Sequence, residues 1–423
     1  MILIYSTGVD LLKYTFDFMF GSVLLLSLGK ADSNHRSGVE PTHRRSRTEA
    51  KKVILVTYND EFVKNEALGL AEAAGYFVSK LLTQKELHHK QYGLGSGKAE
   101  EVRRMAEEEG TTMIIVDDRL SSSQAHNLAK FTHQEVIDRE RLILDIFNSR
   151  ATTNEAKLQV RLAELKYEIP RAREAVRLSL KGEQAGFMGM GEYAVDIKFR
   201  ALKKQMTFVS KKLEEAKKQR NLFRVSRGRL NIPMVSLAGY TSSGKSTLFN
   251  KLTDETKEES AKLFTTLTTS TRGFEPLPGK KVLLSDTVGF ISRLPTYMVE
   301  AFKSTLEELS YSDLLLLLID ASEPIRNMEI KYSSCRQVLD QLHIEPTKLL
   351  IVLNKLDATP RTELKEKESI IRDLPWVEVS ARTGEGLRKL KLKIVEKTYP
   401  EESHKNHPIE KVLETSEPPT ANE

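Results

Sequence analysis

The chain has 423 residues, 39% of them hydrophobic and 29% charged, a soluble composition with apolar material for roughly two or three domains of ~100–200 residues each. One cysteine, Cys335, excludes an internal disulfide framework, no Cys/His cluster offers four structural zinc ligands, and the lone thiol fits a reducing cytosol. A net charge of +6 is modest, so the distribution of charge carries more information than its sum.

Near the N-terminus the longest apolar run, Phe18 to Leu28, is 11 residues long and contains Gly21, Ser22 and Ser27. A spanning helix needs ~20 apolar residues. Asp10, Lys13 and Asp17 stand where a signal peptide carries a positive flank. Ala31 to Lys52 is basic and without periodicity. Residues 1–51 therefore read as a poorly ordered extension and linker, and no stable membrane partner is expected.

In 52–150, Val53–Thr57, Met113–Val116 and Gln134–Asp138 are short β-branched runs separated by helical stretches, with Asn59 and Ser121 or Ser122 as helix caps. This alternation predicts a small parallel α/β subdomain. Tyr92–Lys98 is Gly-rich and enters a helix. Three residues separate Gly93 from Gly97, not the four of a P-loop, and Ala99 follows the lysine, so it reads as a tight turn.

In 151–230 there are no strand signals. Leu158, Leu162, Leu165 and Ile169, and then Phe199, Leu202, Met206, Val209 and Leu213, recur at helical spacing. Gly182, Gly186, Gly189 and Gly191 lie between the two sets, which predicts an antiparallel helical hairpin with a Gly-rich tip. From Lys157 to Leu230 there are 19 basic residues against 8 acidic. Such a basic element on a slightly acidic body suits nucleic acid or an RNA-rich particle.

In 231–400, Met234–Ala238 is a buried-strand run followed at once by Gly239-Tyr240-Thr241-Ser242-Ser243-Gly244-Lys245-Ser246 and a helical Thr247–Leu252. This is G-x-x-x-x-G-K-[ST] in strand–loop–helix context. Its backbone N–H groups would cradle phosphates, Lys245 would reach the β- and γ-phosphates, and Ser246 would ligate Mg²⁺. Val282–Gly289 ends in D-x-x-G: Asp286 would hold Mg²⁺ through water, and the Gly289 N–H would meet the γ-phosphate. Leu349–Leu353 leads into Asn354-Lys355-Leu356-Asp357, whose carboxylate accepts from a donor pair that guanine has and adenine lacks. Ser380, Ala381 and Arg382 supply a base-contacting loop. Four such elements in order, each at a strand end, specify a guanine nucleotide site in a parallel sheet. Thr265, Thr266, Thr268 and Thr269 lie where a threonine must complete the Mg²⁺ shell. Phe290 stands where Ras-type enzymes carry the glutamine that orients water, so intrinsic GTP hydrolysis is expected to be slow. Residues 401–423 read as an acidic, Pro-containing tail.

The P-loop, the switch II run Asp286–Pro295 and Ala301–Glu308 resemble those of the HflX family of ribosome-associated, translational GTPases. Outside this region, Val136–Arg139, Leu142–Phe147, Lys157–Val160 and Leu165–Tyr167 are similar to the family's N-terminal and helical regions. The resemblance runs from about Lys52 to Pro400. It implies an α/β fold: an N-terminal parallel subdomain, a coiled helical hairpin and a Ras-like P-loop G domain. It also implies binding to the large ribosomal subunit and its rRNA and, as in bacterial members, ribosome splitting. Thr266 matches the family's switch I threonine in Phe-x-Thr-Leu. The catalytic set is then Lys245, Thr266 and Gly289. Gly186–Tyr193 departs from the bacterial Arg-Gly-Pro-Gly-Glu-Thr loop and looks like an archaeal version, which bears on splitting more than on ribosome binding. The expectation is a cytoplasmic, monomeric GTPase stimulated by ribosomes, using GTP/GDP and Mg²⁺. The alternative is a membrane-associated regulatory GTPase anchored through its N-terminal apolar segment.

Overall fold

The computed structural model describes residues 50–182, 190–228, 232–254, 263–264 and 270–400. The N-terminal extension, the centre of the Gly-rich tip, Thr266 and the C-terminal tail lie outside the described residues. Among those described, no helix is long and apolar enough to cross a membrane.

The first sheet is built on β1 (Lys51–Tyr58), whose Val53, Ile54, Leu55 and Val56 are all fully buried. Side chains alternate across a strand. Val53 and Leu55 therefore face one layer of helix, α1 (Glu61–Ala73), while Ile54 and Val56 face α2 (Ser96–Glu109) on the other side. Strands β2 (Tyr76–Gln84), β3 (Met113–Val116) and β4 (Glu135–Asp138) complete a parallel sheet in the order β2-β1-β3-β4. The cap of α1 is Asp60, which accepts from the Val63 N–H, one residue beyond the expected Asn59. Ser121 caps α3 (Ser122–Thr132) in a capping box with Gln124. Asp138 ends β4 and caps α4 (Arg139–Arg150). In the Tyr92–Lys98 stretch, His89 and Gly93 pair as a tight turn and the helix starts at Ser96.

Two long helices follow, α5 (Asn154–Gly182) and α6 (Met190–Gly228). They are antiparallel, as Arg220 pairs with Glu155 and Arg161 with Gln205. Their seam is Leu165, Leu202 and Val209, flanked by Leu158, Leu162, Ile169, Met206 and Leu213. The expected helical periodicity thus marks the packed face. Two side chains of α5 secure the hairpin to the first sheet. Arg171 donates to Leu120 O and to Asp138, and the Tyr167 hydroxyl donates to Asp138 Oδ1 at 3.0 Å.

The second sheet runs β10-β9-β8-β5-β7-β6. Its members are β5 (Met234–Gly239), β6 (Ser270–Leu277), β7 (Lys280–Asp286), β8 (Leu314–Asp320), β9 (Leu349–Asn354) and β10 (Trp376–Glu378). Only β6 is antiparallel to its neighbour. The runs β8 and β9 are buried throughout, as strands covered on both faces must be. One face takes α7 (Lys245–Thr253) and, later in the chain, α12 (Leu387–Thr398); the other takes α10 (Ile325–Gln341). Helices α8 (Thr296–Ala301) and α9 (Lys303–Ser310) follow switch II, and α11 (Arg361–Ile370) follows the Asn354–Asp357 loop.

The two sheets share a continuous hydrophobic core. At its centre Phe147 of α4 meets Phe264 and Phe302 edge-on, with ring centroids 4.8 and 4.7 Å apart. Edge-to-face pairs of this kind add about 0.5–1.5 kcal/mol beyond their buried area. The N-terminal subdomain therefore packs directly on the segments that flank the nucleotide motifs.

Candidate nucleotide site

The loop Gly239–Ser246 connects β5 to α7, at the carboxyl end of the sheet. Gly244 adopts φ +94°, and a Cβ there would lie 2.2 Å from Asn354 Nδ2. No side chain fits that position. Asn354 Nδ2 donates to Ser243 O at 2.9 Å, and its Oδ1 accepts from the Ala381 N–H at 3.0 Å. The side chain of Asn354 thus braces the P-loop against the Ser380–Arg382 loop. Asp357 Oδ1 accepts from Ser380 Oγ at 2.6 Å, and Ser380 Oγ accepts from the Thr383 N–H at 3.1 Å. Lys355 reaches back to Asp320 at 2.6 Å. The two base-side motifs are one hydrogen-bonded unit.

At the phosphate end, Lys245 is buried and its ammonium donates to Gly239 O at 3.0 Å and Tyr240 O at 2.8 Å. Burial pulls it down to about 8, against the pull of the Asp286 carboxylate in the other direction. Ser246 Oγ donates to Asp286 Oδ2 at 3.3 Å. A hydroxyl beside a carboxylate at the mouth of a phosphate cradle is the hard-oxygen donor set that suits Mg²⁺ with substrate phosphates as its other ligands. A Cβ on Gly289 would lie 2.9 Å from Thr241 Cγ2 and 3.1 Å from Lys245 Nζ. The D-x-x-G glycine therefore abuts the P-loop lysine.

Switch II is bonded to the P-loop through its backbone. Phe290 N–H donates to Gly239 O at 3.0 Å and Phe290 O accepts from the Thr241 N–H at 2.8 Å. The Phe290 side chain is 1% exposed, inside the shared core. Cys335, buried beneath, has its thiol pushed up to about 12 by burial and is not a reactive thiolate.

Sequence reasoning missed a polar network joining the two sheets. Glu66 of α1 accepts from the Tyr240 hydroxyl, from the Ser292 hydroxyl and from the Ser292 N–H at 3.2 Å. Arg139 of α4, fully buried, donates to Glu66 Oε2 and Asp117 Oδ1, both at 2.6 Å, and to Ser292 O at 3.0 Å. Arg293 pairs with Asp117 Oδ2 at 2.9 Å. Burial raises the Glu66 pKa, but Arg139, Ser292 and Tyr240 outweigh it, and the carboxyl is held below the usual range. The signals available were Asp117 at the end of a buried strand and Arg139 directly after Asp138.

The sheet order, the P-loop at the end of its central strand, and the D-x-x-G and N-K-x-D loops beside it define a P-loop GTPase of Ras-like fold. Residues 63–148 match the family described as GTP-binding GTPase N-terminal, 150–227 the GTP-binding GTPase Middle Region, and 234–355 the 50S ribosome-binding GTPase. The chain is 40% identical over 341 residues to GTPase HflX of Thermococcus kodakarensis, covering 78% of this chain and 77% of that one. To GTPase HflX of Methanocaldococcus jannaschii it is 40% identical over 324 residues, covering 76% and 79%. To that of Caldanaerobacter subterraneus it is 41% identical over 306 residues, covering 72% and 71%. The chain belongs to the HflX family of GTPases. Among solved structures it is similar to that of SsGBP in complex with GDP, at 26% identity, 82% and 98% coverage and a TM-score of 0.49.

Proposed function

We propose that this GTPase associates with the large ribosomal subunit, binds guanine nucleotide at the P-loop site, and hydrolyses GTP to GDP and phosphate slowly until the ribosome stimulates it. The observation that carries the reading is the closed unit of P-loop, Asn354 and the Asp357–Ser380 pair, which leaves a carboxylate at the base end and an ammonium at the phosphate end. The match of residues 234–355 to a ribosome-binding GTPase family supports the ribosomal partner.

In this mechanism Asp357 accepts from the guanine edge, and Ser380 holds that carboxylate in place. Gly239–Thr247 wrap the phosphates with backbone N–H groups, and the ammonium of Lys245 leaves the loop carbonyls for the β- and γ-phosphates. Ser246 and Asp286, the latter through water, would hold Mg²⁺, with Thr266 of switch I as a further ligand. When bound, the metal neutralises phosphate charge. The Gly289 N–H holds the γ-phosphate as water attacks and the bond to GDP breaks. The buried ring of Phe290 leaves no side chain at that position to orient the water. Turnover by the isolated protein is therefore expected to be no faster than the ~10⁻⁴ s⁻¹ of unassisted small GTPases that keep the glutamine.

Multiple-turnover GTPase assays with purified large subunits, small subunits and neither test the proposal. Stimulation by large subunits, abolished by Lys245→Ala, is the expected result. Fast turnover indifferent to ribosomes would refute it.

A further inference from the structure

Among its described side chains, helix α6 packs one face into the fold. Leu202, Met206, Val209 and Leu213 pack against α5. The opposite stripe, which at 3.6 residues per turn carries Ile197, Lys204, Phe208, Lys211, Glu215 and Lys218, is open to solvent. Phe208 is 60% exposed and Ile197 52% exposed. Lys204 and Lys211 lie about one turn to either side of Phe208, roughly 5–6 Å along the axis. Among the described residues Lys204, Lys211 and Lys218 make no ion pair, and Glu215 is engaged by Lys212 at 3.1 Å. The stripe is therefore an aromatic ring between uncompensated cations.

We infer that this face of α6 is an RNA-binding surface, in which Phe208 stacks on an unpaired base while Lys204 and Lys211 hold the flanking phosphates. The chemistry is that of single-stranded recognition, where a sequence-tolerant π-face is combined with a basic track. An anionic membrane is the other partner that lysines and apolar side chains fit, but it needs a continuous apolar band on the helix. Among the described residues the two exposed large apolar side chains of this helix are 11 residues apart, about 16 Å at 1.5 Å per residue, with Lys204 between them. The inference deepens the ribosomal reading by naming the kind of rRNA element that α6 contacts.

The test uses full-length protein, large subunits, and two protein-free probes, single-stranded oligo(U) and an RNA duplex. Phe208→Ala should weaken binding to large subunits and to oligo(U) by about tenfold, leaving the salt dependence unchanged. Phe208→Leu, which keeps apolar area but loses the ring, should weaken binding similarly. Lys204→Ala/Lys211→Ala should weaken binding and flatten the salt slope by about two phosphate contacts. Phe208→Trp should retain affinity and be quenched by oligo(U) above the Trp376 background. If Phe208→Ala and Phe208→Leu bind both RNA targets as the natural chain does, the inference is wrong. It is equally wrong if Phe208→Ala loses only binding to phosphatidylserine vesicles. Wild-type protein that binds oligo(U) through Phe208 but ignores large subunits would overturn the ribosomal reading alone.

Discussion

The carboxylate of Glu66 accepts a hydrogen bond from the hydroxyl of Tyr240, the second residue of the P-loop. Glu66 belongs to the N-terminal subdomain, and the same carboxylate takes Ser292 of switch II. One buried acid thus joins the P-loop, the segment after the D-x-x-G motif and a domain outside the nucleotide fold.

Arg139 should be the most sensitive residue of that network. It is the cation between Glu66 and Asp117, both buried. Arg139→Met removes the only cation on Glu66 among the described residues and one of the two on Asp117, and breaking a buried ion pair typically costs about 3–5 kcal/mol. Urea melts should show a lower midpoint and an extrapolated unfolding free energy reduced by that margin. A loss under about 1 kcal/mol would mean that water reaches the cluster.

Acid should expose the contribution of Glu66. Its folded pKa lies below the unfolded value, so its stabilisation is present above the usual carboxylate range and is lost as pH falls through the folded pKa. Glu66→Gln should be less stable than the natural chain at pH 7, with the gap narrowing towards pH 3. A gap independent of pH would show that the carboxylate's charge contributes nothing.

Much of the nucleotide fold was legible because its strands are extreme. The runs that became β5, β8 and β9 are buried on both faces, and β5 and β9 end at Gly239 and Asn354, each of which begins a motif. The edge strand β2 was not legible. Its sequence YFVSKLLTQ mixes polar and apolar residues because an edge strand needs only one covered side, and Phe77 is 56% exposed. The Glu66 network was hidden for another reason. Glu66 is 73 residues from Arg139 and 226 from Ser292. In sequence each is an unremarkable charge or hydroxyl, and only packing of the two sheets brings them together.

Gly244→Ala should abolish nucleotide binding while leaving the fold intact. The new Cβ would strike the Asn354 amide and strain a left-handed backbone. Fluorescent-GDP titration should show at least about a hundredfold weaker binding, roughly the 3 kcal/mol of a strained residue, with an unchanged circular dichroism spectrum. Binding within threefold of the natural chain would contradict the brace.

Base selectivity should follow Asp357. Asp357→Asn exchanges acceptor for donor towards the guanine edge, so guanine nucleotide should be lost and xanthine nucleotide gained. Competition titrations with GDP, XDP and ADP decide this. If the natural chain takes ADP as tightly as GDP, the Asn354–Asp357 assignment fails.

The most direct measurement of the central claim is co-sedimentation of the purified chain with large ribosomal subunits, in a non-hydrolysable GTP analogue and in GDP, over a range of salt concentrations. Differential affinity is the only way nucleotide can bias ribosome binding, and counterion release makes contact with rRNA salt-dependent. The account predicts tighter binding with the GTP analogue and a steep fall with salt. Equal binding in both nucleotides, or none at low salt, would contradict it.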